Sequence, residues 1–380
     1  MNFTNMNFTK LEEYLSSLGE KYDIPSYQCA VAYKGQIVYS TAGGFTDENR
    51  TVTANRDDLY WLYSASKVST VVAVMQLVEA GKIRLDTELA DIIPEYRNMR
   101  VKTEHGFTFA RKQITIHDLL TMTAGLTYDT APCARYAERK KDATTLEIIK
   151  DYATAPLKFE PGTSYLYSMC HDVLAAVVEA VSGVRFADYI RDNVLSPCGC
   201  KVTSHYVSAE MKEKIAAQYV YDMQTLKSNV RDRECRFRFT DNYDSGGAGL
   251  CGNAEDYVLL AAALANGGEI NGNRILKPET IDMMRAYPVD GKARMEFARW
   301  HNRPGYNYSL GVRVLTNREV STSLFPNGEF GWDGAAGAML TASPETGIAF
   351  CYVMHVIGCG KGYFEIHPEI RNLVYEAING

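Results

Sequence analysis

The chain has 380 residues, 46% of them hydrophobic and 23% charged, and its formal net charge is -6 at pH 7. This composition predicts a soluble globular protein that is long enough for one large domain or two. The negative net charge gives no reason to expect nucleic acid or an anionic membrane surface as a partner. The basic stretch at residues 227–239 is interrupted by acidic side chains, which is typical of a solvated face.

The nine cysteines are odd in number and lack zinc-finger spacing, so they predict reduced thiols rather than a disulfide framework. His117, His171 and His355 also lack metal-ligand spacing, and neither a metal nor a cofactor is expected. The N-terminus has no basic region followed by an apolar run, and no stretch is long enough to span a membrane. These features predict a cytoplasmic protein, with a periplasmic or secreted location only if a signal peptide is missing from this sequence.

In chain order, apolar residues at helical spacing predict a first helix over residues 8–22, and a β-hairpin follows over 28–45 with its turn at Gly35 and Gln36. Residues 65–265 are predicted to be mainly helical with long loops. Strands return between 308 and 355, and a closing helix follows at 370–378. The expected fold class is α/β of the α+β type, with an antiparallel sheet built from both termini, flanked by terminal helices, and a large helical insertion. We expect one unit over 1–380 with two subdomains, 1–64 plus about 266–380, and about 65–265.

The segment "YSASKVST" at 63–70 places Lys67 three residues after Ser64, at the start of an apolar helix. Residues i and i+3 share a helix face, so the two side chains can touch. Burial and the helix dipole both favour the neutral amine, which can take the proton of a serine nucleophile. Alternatively, Ser64 caps the helix and the Lys67 amine reaches water. The pair alone does not decide between these interpretations, because a motif with two fixed residues is expected by chance about once in a chain of this length.

Two later stretches add candidate residues. In "EPGTSYLYSMCHDVLAAVVEAVSG" (160–183), Tyr167 stands between a Pro-Gly turn and a long apolar helix, where its phenol can project into a cleft or simply pack. In "FGWDGAAGAMLTASPETGIAF" (330–350), small residues from Gly334 to Gly337 allow a ligand close to the backbone. An N–H there can donate to a developing oxyanion, although glycines can equally mark a bulge.

Together these stretches resemble the serine β-lactamase and penicillin-binding-protein superfamily. Ser64-Ala65-Ser66-Lys67 is similar to its S-x-x-K motif, and the surroundings resemble the class C branch and its relatives, the β-lactamase-like esterases and D-stereospecific peptidases. Similar segments follow in family order between about residue 25 and residue 355; they are 62–96, 114–126, 161–183, 246–268 and 331–349.

The resemblance implies acyl transfer from a small-molecule acyl substrate to a serine, followed by hydrolysis of the acyl-enzyme by water. It implies Ser64 as nucleophile, Lys67 as general base and Tyr167 as general acid and base. The oxyanion is expected between the backbone N–H groups of Ser64 and Ala335. The resemblance assigns no oligomeric state.

Two motifs depart from the family pattern, and both predict substrate-binding residues. Where the family has Tyr-x-Asn, this chain has Met169, which cannot make the hydrogen bonds of an asparagine amide. Where β-lactamases have Lys-Thr-Gly or His-x-Gly, it has Trp332-Asp333-Gly334. The tryptophan supplies an aromatic wall and removes a cation that holds a substrate carboxylate, and Asp333 is expected to add negative charge.

These departures favour an esterase for small neutral acyl esters, because penicillins and D-Ala-D-Ala peptides both carry the carboxylate that the missing cation would hold. A Trp-x-Gly motif is also familiar from the β-lactamase-like esterases. The first alternative is a β-lactamase or a D-amino-acid peptidase or carboxypeptidase. The second is a catalytically inactive, ligand-binding member of the fold.

Overall fold

The computed structural model describes residues 6–380, and its central feature is a seven-stranded antiparallel sheet. The N-terminal hairpin pairs with the last long strand, so both ends of the chain contribute to the sheet. The predicted fold class is confirmed. In spatial order the strands are Tyr306–Tyr308, Arg313–Leu315, Phe330–Asp333, Met339–Ser343, Ile348–Met354, Ser26–Tyr33 and Gln36–Gly44.

The two faces of this sheet bury different helices, because side chains alternate between faces along a strand. Cys29 and Val31 face one side, where the terminal helices Thr9–Ser16 and His367–Asn379 pack. Ala30 and Ala32 face the other side, where the core continues into the helical region. The helix Ala254–Ala265 packs directly on this second face.

In chain order, most helices come after the N-terminal hairpin and before the C-terminal strands of the large sheet, as the apolar spacing predicts. The Ser64–Lys67 segment forms a short 3₁₀ helix, Tyr63–Ser66, that continues into the helix Lys67–Glu79. The Tyr167 segment precedes the helix Cys170–Ser182. The other helices include Leu89–Ile92, Ile116–Leu120, Ala131–Arg139, Thr145–Tyr152, Phe186–Tyr189, Ala209–Glu213, Pro278–Ala286 and Gly291–His301.

The inserted region also contains strands that the sequence analysis does not predict. Gln218–Asp222 pairs with Lys227–Arg231 and with Val356–Ile357, so the basic stretch begins inside a three-stranded sheet. Shorter pairs join Arg100–Thr103 to Gly106–Phe109, Tyr60–Trp61 to Cys251–Gly252, and Glu269–Ile270 to Asn273–Arg274. Strands of two to five residues carry too little alternation to be detected in a sequence.

The predicted first helix is split into Thr9–Ser16 and Leu18–Tyr22, and the second part ends at Asp23 in a left-handed conformation. The predicted strand near 308–315 is likewise interrupted around Gly311. A Cβ at Gly311 would lie 2.2 Å from the Val71 side chain, and its φ of 75° favours glycine. The strand therefore bends where it meets the helix Lys67–Glu79.

All nine cysteines are buried, unpaired thiols. Within residues 6–380, none of the helices is both long and apolar enough to cross a bilayer. The boundaries proposed above for the two subdomains stay a prediction.

Glu179 accepts hydrogen bonds from the first turns of two helices, and its burial predicts that stability depends on pH. Its carboxylate accepts the N–H groups of Leu146 and Phe186 at 3.1 Å and 2.9 Å, and burial raises its pKa to about 7. Because the folded state holds this proton more tightly than the unfolded state, Glu179 lowers stability as pH rises from about 4.3 to 7. Melting curves at several pH values should show that this part of the pH dependence disappears in Glu179→Gln. An unchanged pH dependence would contradict the assignment.

Candidate active site

Ser64 lies in the 3₁₀ turn between a short strand and the helix Lys67–Glu79, and the backbone is sharply bent just before it. Tyr63 has a φ of 46°, in the left-handed region that a bulky residue rarely adopts. The Tyr63 hydroxyl donates to the Gln218 side chain, and the tyrosine is buried. Packing of this side chain therefore holds the strained turn that presents Ser64.

Lys67 is fully buried, and its amine contacts three oxygen atoms. Its Nζ lies 2.7 Å from the carbonyl of Gly247, 3.0 Å from Ser64 Oγ and 3.0 Å from Tyr128 Oη. A carbonyl can only accept, so one N–H of Lys67 always points to Gly247. In its neutral form the amine has one further N–H and one lone pair, which is sufficient to donate to Tyr128 and accept the proton of Ser64.

The glycines at 246 and 247 allow a backbone segment to approach this lysine. A Cβ at Gly247 would lie 2.5 Å from Asp172 Oδ2, and a Cβ at Gly246 would lie 2.3 Å from the His171 carbonyl. The Gly246 carbonyl accepts the hydroxyl of Thr70, one turn along the nucleophile helix. The glycine-rich segment is therefore a packing surface for Lys67, a role that the sequence analysis does not identify.

Asp172 lies beneath the lysine as a buried acid. Its Oδ1 accepts hydroxyl groups from Tyr243 at 2.9 Å and Ser245 at 2.6 Å. Burial raises the pKa of Asp172, and the nearby Lys67 and these two hydroxyls oppose that shift. Asp172 thus contributes to the electrostatic environment of Lys67 without lining the cavity.

Tyr128 is the main residue that the sequence analysis misses. Its hydroxyl is hydrogen-bonded to Lys67 and also interacts with Ser64. Burial of this hydroxyl, together with Tyr167 and Asp172, holds the pKa of Tyr128 well above its usual value. Tyr128 therefore keeps its proton, so its hydroxyl is available as a donor but not as a phenolate base. The segment "GLTYDT" is an irregular loop with no helix or strand pattern to draw attention to it.

Tyr167 also lies beside the lysine, with its ring facing Lys67. Lys67 Nζ is 4.8 Å from the Tyr167 ring centroid, and the Tyr167 hydroxyl accepts the indole N–H of Trp332 at 2.9 Å. The Tyr128 and Tyr167 rings are 5.5 Å apart between centroids. Both tyrosines thus flank Lys67, but it is the Tyr128 hydroxyl that is hydrogen-bonded to it. Catalytic hydrogen bonds often tighten only when substrate binds, so the predicted role of Tyr167 stays open.

A cavity of about 290 Å³ opens in front of Ser64, and its walls are largely aromatic. Burial and the nearby Arg303 lower the pKa of His301 to about 3, so this ring is neutral and adds to the aromatic surface. The lining residues are Ser64, Tyr167, Trp300, His301, Arg303, Trp332, Asp333, Gly334, Ala335, Tyr363 and Phe364.

Ala335 is exposed between buried neighbours, at the cavity wall. The Gly334 N–H donates to the carbonyl of Ala338, whereas the Ala335 N–H has no hydrogen-bond partner among residues 6–380. A Cβ at Gly334 would lie 2.2 Å from the carbonyl of Leu62, two residues before Ser64. The lack of a side chain at 334 therefore lets the Ala335 loop approach the nucleophile turn.

The carboxylate of Asp333 is neutralised by two arginines, the buried Arg313 and the half-buried Arg303, contrary to the expectation that it adds negative charge to the cavity. Arg303 pairs with Asp333, and Arg313 Nη1 donates to Asp333 Oδ1 at 3.0 Å. These cations hold the pKa of Asp333 well below its usual range, against the effect of its burial. The sequence analysis also misses Arg303, which brings a cation to the cavity wall 30 residues before Asp333.

The structure does not place Met169 on the cavity wall. Its side chain is fully buried in the core, and its backbone caps the helix Cys170–Ser182. The expected substrate contact at this position is therefore not formed, because the chain turns into the helix immediately after Ser168. Trp332, Asp333 and Gly334 do line the cavity.

This sheet and insertion, with a serine hydroxyl held by a lysine amine at the mouth of a cavity, define a serine hydrolase. A family model described as Beta-lactamase matches residues 11–356, and the chain belongs to this family.

Two relatives and one solved structure illustrate the similarity. Protein Rv1367c of Mycobacterium tuberculosis is 30% identical over 325 residues, which cover 82% of this chain and 80% of the relative. Esterase EstB of Burkholderia gladioli is 32% identical over 334 residues, covering 81% and 80%. The structure of EstCE1, a hydrolase with promiscuous acyltransferase activity, superposes with a TM-score of 0.79 at 23% identity and covers 98% of each chain.

Replacing Trp332 by phenylalanine tests the hydrogen bond to Tyr167. The change removes the indole donor, and a neutral hydrogen bond contributes about 1 kcal/mol, so we expect kcat/KM for p-nitrophenyl butyrate to fall about fivefold. The matched control is Trp300→Phe, since Trp300 lines the same cavity but is 64% exposed and has no hydrogen-bond partner in the described part of the chain. Equal losses in both variants would show that aromatic area, rather than the bond to Tyr167, is important.

Proposed function

We propose that this protein is a serine esterase that cleaves acyl esters whose reacting end, the part next to the carbonyl that Ser64 attacks, carries no charge. The observation that carries the proposal is the contact of Ser64 Oγ with Lys67 Nζ at 3.0 Å, beneath a cavity walled by aromatic side chains. The relative EstB is named an esterase. The replacement of the family's basic residue by Trp332 supports an ester over a β-lactam.

In the proposed reaction, Ser64 Oγ attacks the acyl carbonyl while its proton passes to the neutral amine of Lys67. The Ser64 and Ala335 N–H groups donate to the oxyanion of the tetrahedral intermediate. The proton then moves from Lys67 to the leaving alkoxide, with Tyr128 or Tyr167 as the relay. Water cleaves the acyl-enzyme in a second passage through the same groups, which restores the free serine.

Arg303 does not restore a site for the carboxylate of a β-lactam, because its guanidinium is already paired with Asp333. An anion beside Ser64 would have to compete with this buried carboxylate. A neutral ester meets no such competition and can use the aromatic walls formed by Trp332, His301 and Tyr167.

A comparison of two chromogenic substrates tests the proposal. We expect kcat/KM for p-nitrophenyl butyrate to exceed that for a chromogenic cephalosporin by more than about a hundredfold, equivalent to about 2.7 kcal/mol. Preference for the cephalosporin, or cleavage of a D-alanyl-D-alanine peptide at a comparable rate, would support the first alternative instead.

Labelling with a fluorophosphonate separates an active enzyme from an inactive binding protein. We expect an adduct on Ser64 by mass spectrometry and none in Ser64→Ala. An unlabelled Ser64 in the folded wild-type protein would favour the inactive alternative.

We further propose that the protein works in the cytoplasm, on a small molecule and without nucleic acid. Nine unpaired, buried thiols fit a reducing compartment. Fractionation of the source cells, followed by immunoblotting, tests this location.

A further inference from the structure

A second cavity, of about 300 Å³, lies beside the active-site cavity and shares three residues with it. The shared residues are Arg303, Tyr363 and Phe364. Arg371 also lines the second cavity, and no acidic side chain does so in the part of the chain that the structure describes. The two cavities therefore adjoin each other, and together we call them the groove, with Ser64 lining one end and Arg371 the other.

The charges buried along this groove do not cancel. Arg303 pairs with Asp333, and Arg313 pairs with both Asp333 and Glu329. Arg371 brings the number of arginines in this cluster to three, whereas the cluster contains only two carboxylates, Asp333 and Glu329. Its Nε lies 3.7 Å from Glu329.

His367, which also faces Asp333, does not change this balance. Burial lowers the pKa of His367, so the ring is neutral at pH 7. The cluster consequently keeps one positive charge that no acid in it neutralises.

Arg371 uses few of its five N–H donors. Within the described chain, the hydrogen bond it makes is a weak one from Nη2 to the sulfur of Met339 at 3.7 Å, and its Nε has no hydrogen-bond partner. The side chain is 7% exposed. An unsatisfied buried guanidinium is costly, and an anionic ligand in the second cavity would supply the missing acceptor.

One backbone segment connects the two ends of the groove. Tyr363 donates its hydroxyl to the carbonyl of Gly334, next to the Ala335 loop. From Tyr363 the chain runs through the π-helical turn Gly362–Ile366 into the helix His367–Asn379, which carries Arg371. A ligand that reaches from Ser64 to Arg371 therefore has to pass from the first cavity into the second, so it must be longer than a short acyl group.

We propose that the second cavity binds a carboxylate at the far end of the ester substrate. The substrate class is then an ester of a long-chain acid that ends in a second carboxyl group. This inference rests on the proposed esterase function and deepens it. The reacting end is neutral and meets Trp332, whereas the remote end is anionic and meets Arg371.

The first test needs only the wild-type protein. The p-nitrophenyl monoester of decanedioic acid is compared with p-nitrophenyl decanoate, and the monoester of butanedioic acid with p-nitrophenyl butyrate. A hydrogen bond to a charged group is stronger than one between neutral groups, so we expect about a tenfold preference for the long acidic ester and none for the short one. The preference should shrink between about 20 mM and about 500 mM salt. Equal rates for the long pair at low salt would overturn the proposal.

Variants at the cavity wall provide the second test. Val320 lines the second cavity and is 59% exposed, so Val320→Glu adds a repelling charge without disturbing the core. We expect the ratio of acidic to neutral ester kcat/KM to fall about tenfold in Val320→Glu and to stay within about twofold in the matched control Val320→Gln. Arg371→Met should abolish the preference, but it also removes a buried partner of Glu329 and can impair folding. An unchanged ratio in Val320→Glu contradicts the proposal independently of Arg371.

Binding to a protein without its nucleophile separates the two proposals. Monomethyl decanedioate is titrated calorimetrically into Ser64→Ala and into Ser64→Ala with Val320→Glu. Salt-sensitive binding that the second protein loses supports the carboxylate site even if no ester is cleaved, in which case the esterase proposal alone fails. Hydrolysis of neutral esters with no such binding leaves the esterase intact and overturns the carboxylate site.

Discussion

Replacing Lys67 by methionine is expected to lower kcat for p-nitrophenyl butyrate by about a thousandfold, because proton transfer by a positioned side chain contributes 10²- to 10⁴-fold. Methionine keeps an unbranched, apolar stem of similar length and removes the amine that contacts Ser64 Oγ at 3.0 Å. The rate of Ser64 labelling by a fluorophosphonate should fall in parallel, since both reactions require the serine to lose its proton.

Lys82→Met is the control for this variant. Lys82 is exposed just beyond the helix Lys67–Glu79, so its replacement should leave both rates unchanged. Circular dichroism should confirm that both variants fold, because Lys67 is buried near Asp172. A kcat for Lys67→Met within tenfold of the wild type would exclude Lys67 as the general base.

Replacing Tyr128 by phenylalanine is expected to lower kcat about a hundredfold and to slow the labelling of Ser64 more than Tyr167→Phe does. The reason is the hydrogen bond from Lys67 to the Tyr128 hydroxyl, which orients the amine towards the serine. The Tyr167 hydroxyl is instead held by Trp332. Its loss should affect departure of the alkoxide more than the first attack.

Two esters separate these steps for the two tyrosine variants. The stopped-flow burst of p-nitrophenol reports the attack, because this leaving group departs without a proton, whereas hydrolysis of ethyl butyrate also requires proton transfer to a leaving alkoxide. Tyr287→Phe serves as the control, since Tyr287 is 45% exposed and does not line the active-site cavity. A slow burst in Tyr167→Phe together with a normal burst in Tyr128→Phe would show that Tyr167, and not Tyr128, assists the attack by Ser64.

Sequence reasoning was most effective where a pattern extends over many residues. The apolar spacing of residues 68–79 and 170–182 predicts two buried helices, and two strand-like runs on either side of the turn at Gly35 and Gln36 predict the hairpin. The separation of Ser64 and Lys67 by three residues is a local feature, so their contact follows once a helical turn is assumed. Local spacing and periodicity therefore led to both the sheet and the Ser64–Lys67 pair.

What was missed depends on contacts between distant parts of the chain. Tyr128 and Lys67 are 61 residues apart, and a loop tyrosine has no periodicity that could connect them. Met169 is adjacent to the Tyr167 motif in sequence but turns into the core. Arg303 and Asp333 form an ion pair that reverses the expected effect of the carboxylate on the cavity. Such pairings depend on tertiary packing, which a single sequence does not reveal.

The three-stranded sheet outside the cavity has a consequence for how the enzyme can vary. Tyr63, before the nucleophile, bonds to Gln218 of this sheet, and the carbonyl of Ala336, after the oxyanion loop, accepts the N–H of Val356 at 3.0 Å. Tyr63 and Ala336 also belong to one buried cluster. The segments that carry the two proposed oxyanion donors are thus both attached to the three-stranded sheet and its buried cluster. Neither Trp300 nor Phe364 belongs to this support. Evolution can remodel the recognition surfaces while the reaction centre keeps its spacing.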